Sequence, residues 1–189
     1  METTIIALWL PVLLSATLVF LVSWVFHAVL KHHATDQVAV PDEDAFRAAV
    51  HPLGIEPGEY VVPKPKDGDF RSPEYREKVE SGPTLRMTVF RPDALLNMGP
   101  GLAKWFGFCV LVGVFCAYLA SRTLAADAEY LTVFRLVGAT AFACYAFGEL
   151  PRSIWWAQKW STTFKSMFDG LVYSLVTAGV FGWLWPAPA

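Results

Sequence analysis

Thr4 to Leu30 reads TIIALWLPVLLSATLVFLVSWVFHAVL, a stretch of about 27 residues without Asp, Glu, Lys or Arg. A helix needs about 20 apolar residues to cross the hydrocarbon core of a bilayer, so this stretch predicts a membrane-spanning helix. No positive charge precedes it and it is too long for a secretory leader, so we expect a retained anchor. Its excess length predicts a helix that continues past the bilayer through His33, with Pro11 as the expected kink.

Three further apolar runs have a similar length and follow a long polar segment. They are Trp105 to Ser121, Tyr130 to Gly148 and Gly170 to Trp185. The chain is therefore predicted to be an all-α membrane protein with four transmembrane helices and a small cytoplasmic α+β insertion between helices 1 and 2. We expect helix 1 with its extension over 1–35, the insertion over 36–101, and three transmembrane helices over 102–189.

The positive charges predict how the chain is threaded. Residues 31–104 contain ten Lys and Arg, and the segment after the third run contains Arg152, Lys159 and Lys165, whereas the turn after the second run contains only Arg122. Because cytoplasmic loops of membrane proteins are enriched in Lys and Arg, these basic segments are expected in the cytoplasm. Both termini are then predicted to lie outside, in a multi-pass membrane protein.

The insertion contains signals for alternating helices and strands. A helix is predicted from Pro41-Asp42-Glu43-Asp44 to Val50, and a second helix from Ser72 to Gly82, because proline and acidic residues suit a helix start. Extended runs are predicted at Tyr60 to Val62 and Leu85 to Val89. A segment this short supplies little core of its own, so we expect it to rest on the membrane face or on a partner.

Aromatic residues alternate with charged residues between the third and fourth apolar runs. This pattern, near 152–166, is typical of a helix that lies in the plane of the membrane interface. The pattern therefore predicts an interfacial helix there.

Small residues recur every four positions in the last two apolar runs. Small side chains allow close helix approach in lipid, where hydrophobic drive between helices is absent. The predicted packing residues are Gly170, Ser174, Ala178 and Gly182 in the fourth run, and Thr140, Cys144 and Gly148 in the third. These faces are expected either to pack the bundle internally or to form a subunit interface.

Three charged residues lie within or beside the apolar runs. Lys104 and Glu149 fall at similar depths on antiparallel neighbours, so we expect an ion pair between them at the inner interface. Arg135 lies about five residues inside the third run. It is expected to line a polar path or to extend towards the headgroups.

The four histidines are His27, His32, His33 and His51, and all fall near the predicted inner face. On a continuous helix, Asp36 would lie one turn beyond His32. Imidazole and carboxylate groups at that spacing are candidate ligands for zinc or a similar ion, and the candidates are His32, His33 and Asp36. The alternative is that these side chains face the headgroups without binding metal, and no cofactor is predicted.

No phosphate-binding glycine loop, nucleophile elbow or Cys-x-x-Cys pair occurs in the chain, so the sequence predicts no enzyme. The net charge of −2 argues against nucleic acid as a partner.

Several short motifs also resemble a group of bacterial four-span inner-membrane proteins to which no activity is assigned. They are Leu10-Pro11, Ser23-Trp24, His27, His33, Asp36, Pro41-Asp42-Glu43-Asp44, Pro57-Gly58-Glu59-Tyr60 and Gly182-Trp183-Leu184-Trp185. The resemblance implies a bacterial inner-membrane setting, in which both termini are periplasmic, and it assigns a role to no residue.

These observations together predict a non-catalytic structural or accessory subunit of a membrane assembly. Its partners would be the lipid bilayer and other membrane-protein subunits, or further copies of itself. One alternative is a small-solute or ion transporter that uses Arg135 and the inner-face charges. Another is a metal-binding membrane protein that uses the region from His27 to His51.

Overall fold

The computed structural model describes residues 4–186. The chain divides into two compact units, one formed by Ala39–Met98 and the other by the segments before and after it. Among these residues, three helical stretches are long and apolar enough to cross a membrane, namely Ile5–Leu30, Gly99–Thr123 and Tyr130–Trp156. The protein is therefore mostly helical with a small sheet, as the sequence predicts.

The larger unit is built from helices. These are α1 (Trp9–Trp24), α5 (Gly99–Thr123), α6 (Tyr130–Ala146), α7 (Leu150–Trp156) and α8 (Trp160–Trp183). The smaller unit contains α2 (Glu43–Val50), β1 (Gly58–Val62), α3 (Pro73–Ser81), β2 (Leu85–Val89) and α4 (Pro92–Leu96).

Helices α1, α5, α6 and α8 form a four-helix bundle around a common apolar core. Helix α1 packs against α5 and α8, while α6 packs against α5 and α8. One core cluster contains Val12, Val112, Val137 and Phe181, so each of the four helices contributes a side chain. Burial of these apolar stripes fixes the order of the helices around the core.

Indole hydrogen bonds show which helix ends lie together. Trp105 Nε1 near the start of α5 donates to Ser23 Oγ near the end of α1 at 2.8 Å. Trp185 Nε1 beyond α8 donates to the carbonyl of Ala125, in the turn between α5 and α6, at 3.2 Å. The bundle therefore runs up and down, and the end of α1, the start of α5 and the start of α8 share one end.

The first helical stretch differs from the predicted continuous helix. It opens with a 3-10 turn (Ile5–Leu8), continues as α1, and finishes with π-helical turns (Val25–Leu30). The helix then ends at Lys31, which has a left-handed φ of 52°, and residues 31–36 form two tight turns. The prediction that the helix continues through His33 is wrong, because the turns direct His33 and Asp36 towards α8 instead. Pro11 lies in the first turn of α1, directly after the 3-10 turn, where a proline ring removes no intrahelical hydrogen bond.

The helix predicted near 152–166 is not one continuous helix. Helix α7 ends at Trp156, the next residue Ala157 has a left-handed φ of 54°, and Trp160 already begins the long helix α8. Ser153 Oγ lies 2.6 Å from Thr163 Oγ1, and Gln158 Nε2 donates to the same hydroxyl at 3.0 Å. These bonds join the two helices across the break, so the sharp turn replaces a continuous helix.

The smaller unit has the predicted order of helix, strand, helix and strand, followed by the unpredicted short helix α4. Asp42 caps α2 by accepting from the amide of Ala45 at 2.8 Å, and Ser72 caps α3 by accepting from Tyr75 at 3.3 Å. Strands β1 and β2 pair antiparallel, with Gly58 opposite Val89. Every residue of 39–98 is described, and none of them is buried.

The small residues of α8 do pack inside the bundle. A Cβ added to Gly170 would lie 3.0 Å from the Cβ of Ala146, and one added to Gly182 would lie 2.7 Å from the ring of Tyr130. Ser174 and Ala178 are buried between them. Close approach of α8 to α6 therefore depends on this face, in line with the internal-packing alternative.

The predicted row on the third span does not form the matching face. Thr140 and Cys144 are only partly buried, and Gly148 is exposed with no atom within 4 Å of an added Cβ. Gly138 instead faces Ala178, with 3.3 Å between an added Cβ and the Cβ of Ala178. The reason is that α6 ends at Ala146, and the 3-10 turn after it rotates Gly148 outward.

Candidate functional site

Six polar side chains meet at the end of the bundle where α1 finishes and α8 begins. We call them the histidine–aspartate cluster, and they are His27, His32, His33, Asp36, Lys165 and Asp169. The first four come from the end of the first helical stretch and the turns after it, and the last two come from α8.

His33 lies between two carboxylates at the centre of the cluster. Its Nδ1 is 2.6 Å from Asp36 Oδ2, and its Nε2 is 2.9 Å from Asp169 Oδ2. The side chain of Asp169 is only 5% exposed. The imidazole therefore links the turn after helix 1 to α8.

Lys165 holds the same turn from one helical turn earlier on α8. Its amino group donates to Asp36 Oδ1 at 2.7 Å, to the carbonyl of His32 at 2.6 Å and to Thr35 Oγ1 at 3.0 Å. All three donor positions of the ammonium group are occupied. The geometry of the turn is thus fixed by contacts across the bundle.

His27 faces the cluster from the π-helical turns. Its Nδ1 is 2.9 Å from the carbonyl of Ser23, and its ring stacks on that of His33 with centroids 4.9 Å apart. Since a carbonyl only accepts, Nδ1 carries a proton, and in the neutral imidazole Nε2 then has a lone pair. One potential ligand atom from each of His27, His33 and Asp169 lies within 4.8 Å of the others.

Three buried polar atoms in this region lack a hydrogen-bond partner among the described residues. They are Asp169 Oδ1, His32 Nε2 and the hydroxyl of Tyr173. His32 Nε2 and Asp169 Oδ1 are 3.0 Å apart, which allows an electrostatic contact, although neither atom forms a hydrogen bond. Unpaired buried polar atoms are costly, so this group is incomplete by itself.

The carboxylates and Lys165 shift the pKa values of the turn residues. Burial by itself lowers the pKa of His33, but hydrogen bonds and charge attraction from Asp36 and Asp169 outweigh it, and the pKa is raised. Burial by itself raises the pKa of Asp36, but hydrogen bonds and positive charge from Lys165 and His33 outweigh it, and the pKa is lowered. The cluster therefore favours the protonated form of His33 and the ionised form of Asp36, which attract each other.

Aromatic side chains enclose the inner side of the cluster. Tyr173 lies one turn beyond Asp169 and packs near Phe26, Trp105 and Tyr145, with ring centroids 5.6 to 6.1 Å from its own. Phe26 also meets His32 edge to face at 5.4 Å. The aromatic wall limits water on that side, which strengthens electrostatic interactions in the cluster.

The structure brings together His32, His33 and Asp36, the predicted candidate ligands, but not on a helix. The expected spacing of His32 and Asp36 over one helical turn is wrong, because the chain leaves the helix at Lys31 and pairs His33 with Asp36 in a turn. His51 belongs to the smaller unit, where it begins a 3-10 turn. It is exposed.

Asp169 and Lys165 are the cluster residues that sequence reasoning missed as partners of the histidines. An acid directly before the apolar run of 170–185 is the signal that could have found Asp169, because a carboxylate at that depth needs a partner.

The other predicted charged residues lie outside the cluster. Within residues 4–186, no ion pair joins Lys104 to Glu149; Lys104 is exposed, and Glu149 pairs with Arg152 at 3.7 Å. The expected bridge is therefore wrong, since the 3-10 turn after α6 brings Glu149 beside Arg152 on its own chain segment. Arg135 is exposed on α6.

No family model, curated protein or solved structure matches this chain.

Proposed function

We propose that the protein is a non-catalytic accessory subunit of a membrane assembly, inserted through four helices in a bacterial inner membrane. The single observation that supports this role best is the smaller unit, 39–98, which folds with regular helices and strands and yet buries no side chain. Such a unit is expected to complete its core against another subunit.

The smaller unit is too small to be stable with its apolar groups in water. An isolated two-stranded sheet is marginal, and a segment of about 60 residues seldom supplies enough core by itself. Its most exposed large apolar side chains are Leu53, Phe70, Leu95, Leu96 and Met98, each at least 67% exposed. Covering them would stabilise the unit, at roughly 25 cal/mol for each Å² removed from water.

The fourth crossing is part of this proposal. Helix α8 is not among the three described stretches that are apolar enough to count as candidate spans, and its first turns carry Lys165 and Asp169. Both of these charges are paired within the bundle. Paired charges near a helix end are tolerated in lipid, and α8 runs beside α6 and ends at the turn that joins α5 to α6.

The transport alternative has less support. Arg135, the residue proposed for a polar path, is exposed on the outside of α6, where an arginine can extend towards headgroups. A measurable solute flux in liposomes that is lost with Arg135→Ala would favour transport over the accessory role.

The proposal can be tested by photo-crosslinking in native membranes. A photoreactive amino acid at Leu96 should give a discrete protein adduct identified by mass spectrometry, and the matched position Lys78, polar and exposed on α3, should not. A second substitution, Leu53→Asp, should reduce the Leu96 adduct while the melting temperature of the helical bundle is unchanged.

A stable, partner-free monomer in a native mass spectrum of membrane vesicles would overturn the proposal. So would adducts at Leu96 that are confined to lipid. An adduct with a second copy of the chain would support the self-assembling form of the same role.

A further inference from the structure

We propose that the histidine–aspartate cluster binds one divalent transition-metal ion of the zinc class, through the Nε2 atoms of His27 and His33 and the carboxylate of Asp169. This goes beyond the accessory role and stands independently of it.

The donor atoms have the chemistry and the spacing that such an ion requires. Two imidazoles and a carboxylate form a common ligand set for zinc, with bonds of about 2.0 to 2.2 Å. Ligand atoms around a tetrahedral ion of that size lie roughly 3.3 Å apart. His33 Nε2 and Asp169 Oδ2 are 2.9 Å apart, and all three donors fall within 4.8 Å of one another, so small side-chain shifts bring them to that spacing.

His27 is held in the tautomer that ligation needs, and His33 reaches it when an ion replaces the Nε2 proton that it shares with Asp169. A ligating imidazole usually donates its other N–H to a carbonyl or carboxylate, which orients the ring. His27 Nδ1 bonds to the carbonyl of Ser23, and His33 Nδ1 bonds to Asp36. Lys165 in turn holds Asp36 at 2.7 Å. The supporting contacts are thus those of a carboxylate–histidine–metal arrangement.

An independent observation is the unpaired buried oxygen of Asp169. The Asp169 side chain is 95% buried, and its Oδ1 has no hydrogen-bond partner among the described residues. The carboxylate points into the space between His32 and His33, from which both imidazoles approach it within 3.0 Å. A cation there would satisfy this oxygen, which the imidazole of His32 does not.

The site would be open on one side. Three protein donors leave one position of a tetrahedral ion for water, and His27 is exposed while Asp169 is buried. The ion would therefore reach the cluster past His27, and the aromatic wall with Tyr173 would close the opposite side.

The competing explanation of the same geometry is an ionic clamp, in which His33 and Lys165 hold the carboxylates and no metal takes part. The two explanations differ in what the full-length protein binds. It should be purified without a polyhistidine tag, stripped with a chelator, and titrated in detergent with Zn²⁺ and with Co²⁺. The Co²⁺ visible absorption spectrum reports tetrahedral coordination independently of affinity.

We expect one ion per chain and an intense Co²⁺ spectrum typical of tetrahedral coordination. His27→Ala should weaken binding at least 100-fold, and because this side chain is exposed the variant should keep its fold. Asp169→Asn should also weaken binding at least 100-fold. Asp36→Asn, which removes a supporting charge, should weaken binding about 10- to 100-fold. His51→Ala in the smaller unit is the matched control and should bind like the parent.

The absence of stoichiometric Zn²⁺ and Co²⁺ binding by the stripped parent would overturn the metal site in favour of the clamp. Binding that His27→Ala leaves unchanged would overturn it as well, whatever happens to the fold of Asp169→Asn.

Discussion

At the scale of single residues, Lys165 contributes most to the order of the segment after helix 1. Its ammonium group joins a side chain, a hydroxyl and a backbone carbonyl of the turn at 31–36 to α8. Asp36 is only 11% exposed, so loss of its cationic partner would leave a mostly buried carboxylate without its main support.

We therefore predict that Lys165→Met lowers the free energy of unfolding of the bundle by about 1 to 3 kcal/mol. Thermal unfolding in detergent, followed by circular dichroism, measures this. Lys104→Met is the matched control, since Lys104 is exposed and should change stability by less than about 0.5 kcal/mol. An equal loss in both variants would mean that the contacts of Lys165 have no special weight.

Contacts between individual residues are also the feature that the sequence predicted least well. Apolar length and charge identify the helical stretches of the bundle, since both properties are written locally in the chain. His33 and Asp169 are 136 positions apart, and no local pattern marks two such residues as neighbours. The end of the helix at Lys31 could not be predicted either, because the left-handed residue at a helix end is usually a glycine and this one is a lysine.

At the scale of elements, the contact between α6 and α8 is the most extensive in the bundle. Gly170 approaches the backbone carbon of Tyr145, which lies 3.2 Å from an added Cβ, and Ala146 is nearer still. Backbone atoms cannot move aside as a flexible side chain can. The repeat of small residues predicted this face from the sequence, whereas its partner on α6 depended on where α6 ends.

Gly170→Ala should consequently destabilise the bundle by about 1 to 3 kcal/mol through overpacking. Gly107→Ala in α5 is the control, because no atom lies within 4 Å of its added Cβ. That substitution should be neutral or stabilise by up to about 1 kcal/mol through helix propensity. Comparison of the two melting temperatures checks the prediction, and a stabilised Gly170→Ala would contradict the close approach.

At the scale of the whole molecule, the up-and-down order of the four helices determines which segments lie at each end of the bundle. The turn between α5 and α6 and the end of α8 share one end, and the histidine–aspartate cluster marks the other. In a bilayer, the basic segments would put the cluster on the cytoplasmic side.

This arrangement predicts a specific labelling pattern in intact cells. Asp127→Cys, exposed in the turn between α5 and α6, should react with a membrane-impermeant maleimide, and Glu77→Cys in α3 should react only after lysis. The parent protein controls for its own three cysteines, which are buried or partly buried. Labelling of both positions from the same side would rule out the four-span topology.

Asp169 and Gly170 are consecutive residues with opposite tasks, one presenting a carboxylate to the imidazoles and the other seating α8 against α6. Because the two residues are adjacent, any movement of the backbone there changes the helix contact and the ionic contact together. We expect a change in bilayer thickness that tilts α8 to move the Asp169 carboxylate relative to His33. The geometry of the histidine–aspartate cluster would then depend on the lipid environment.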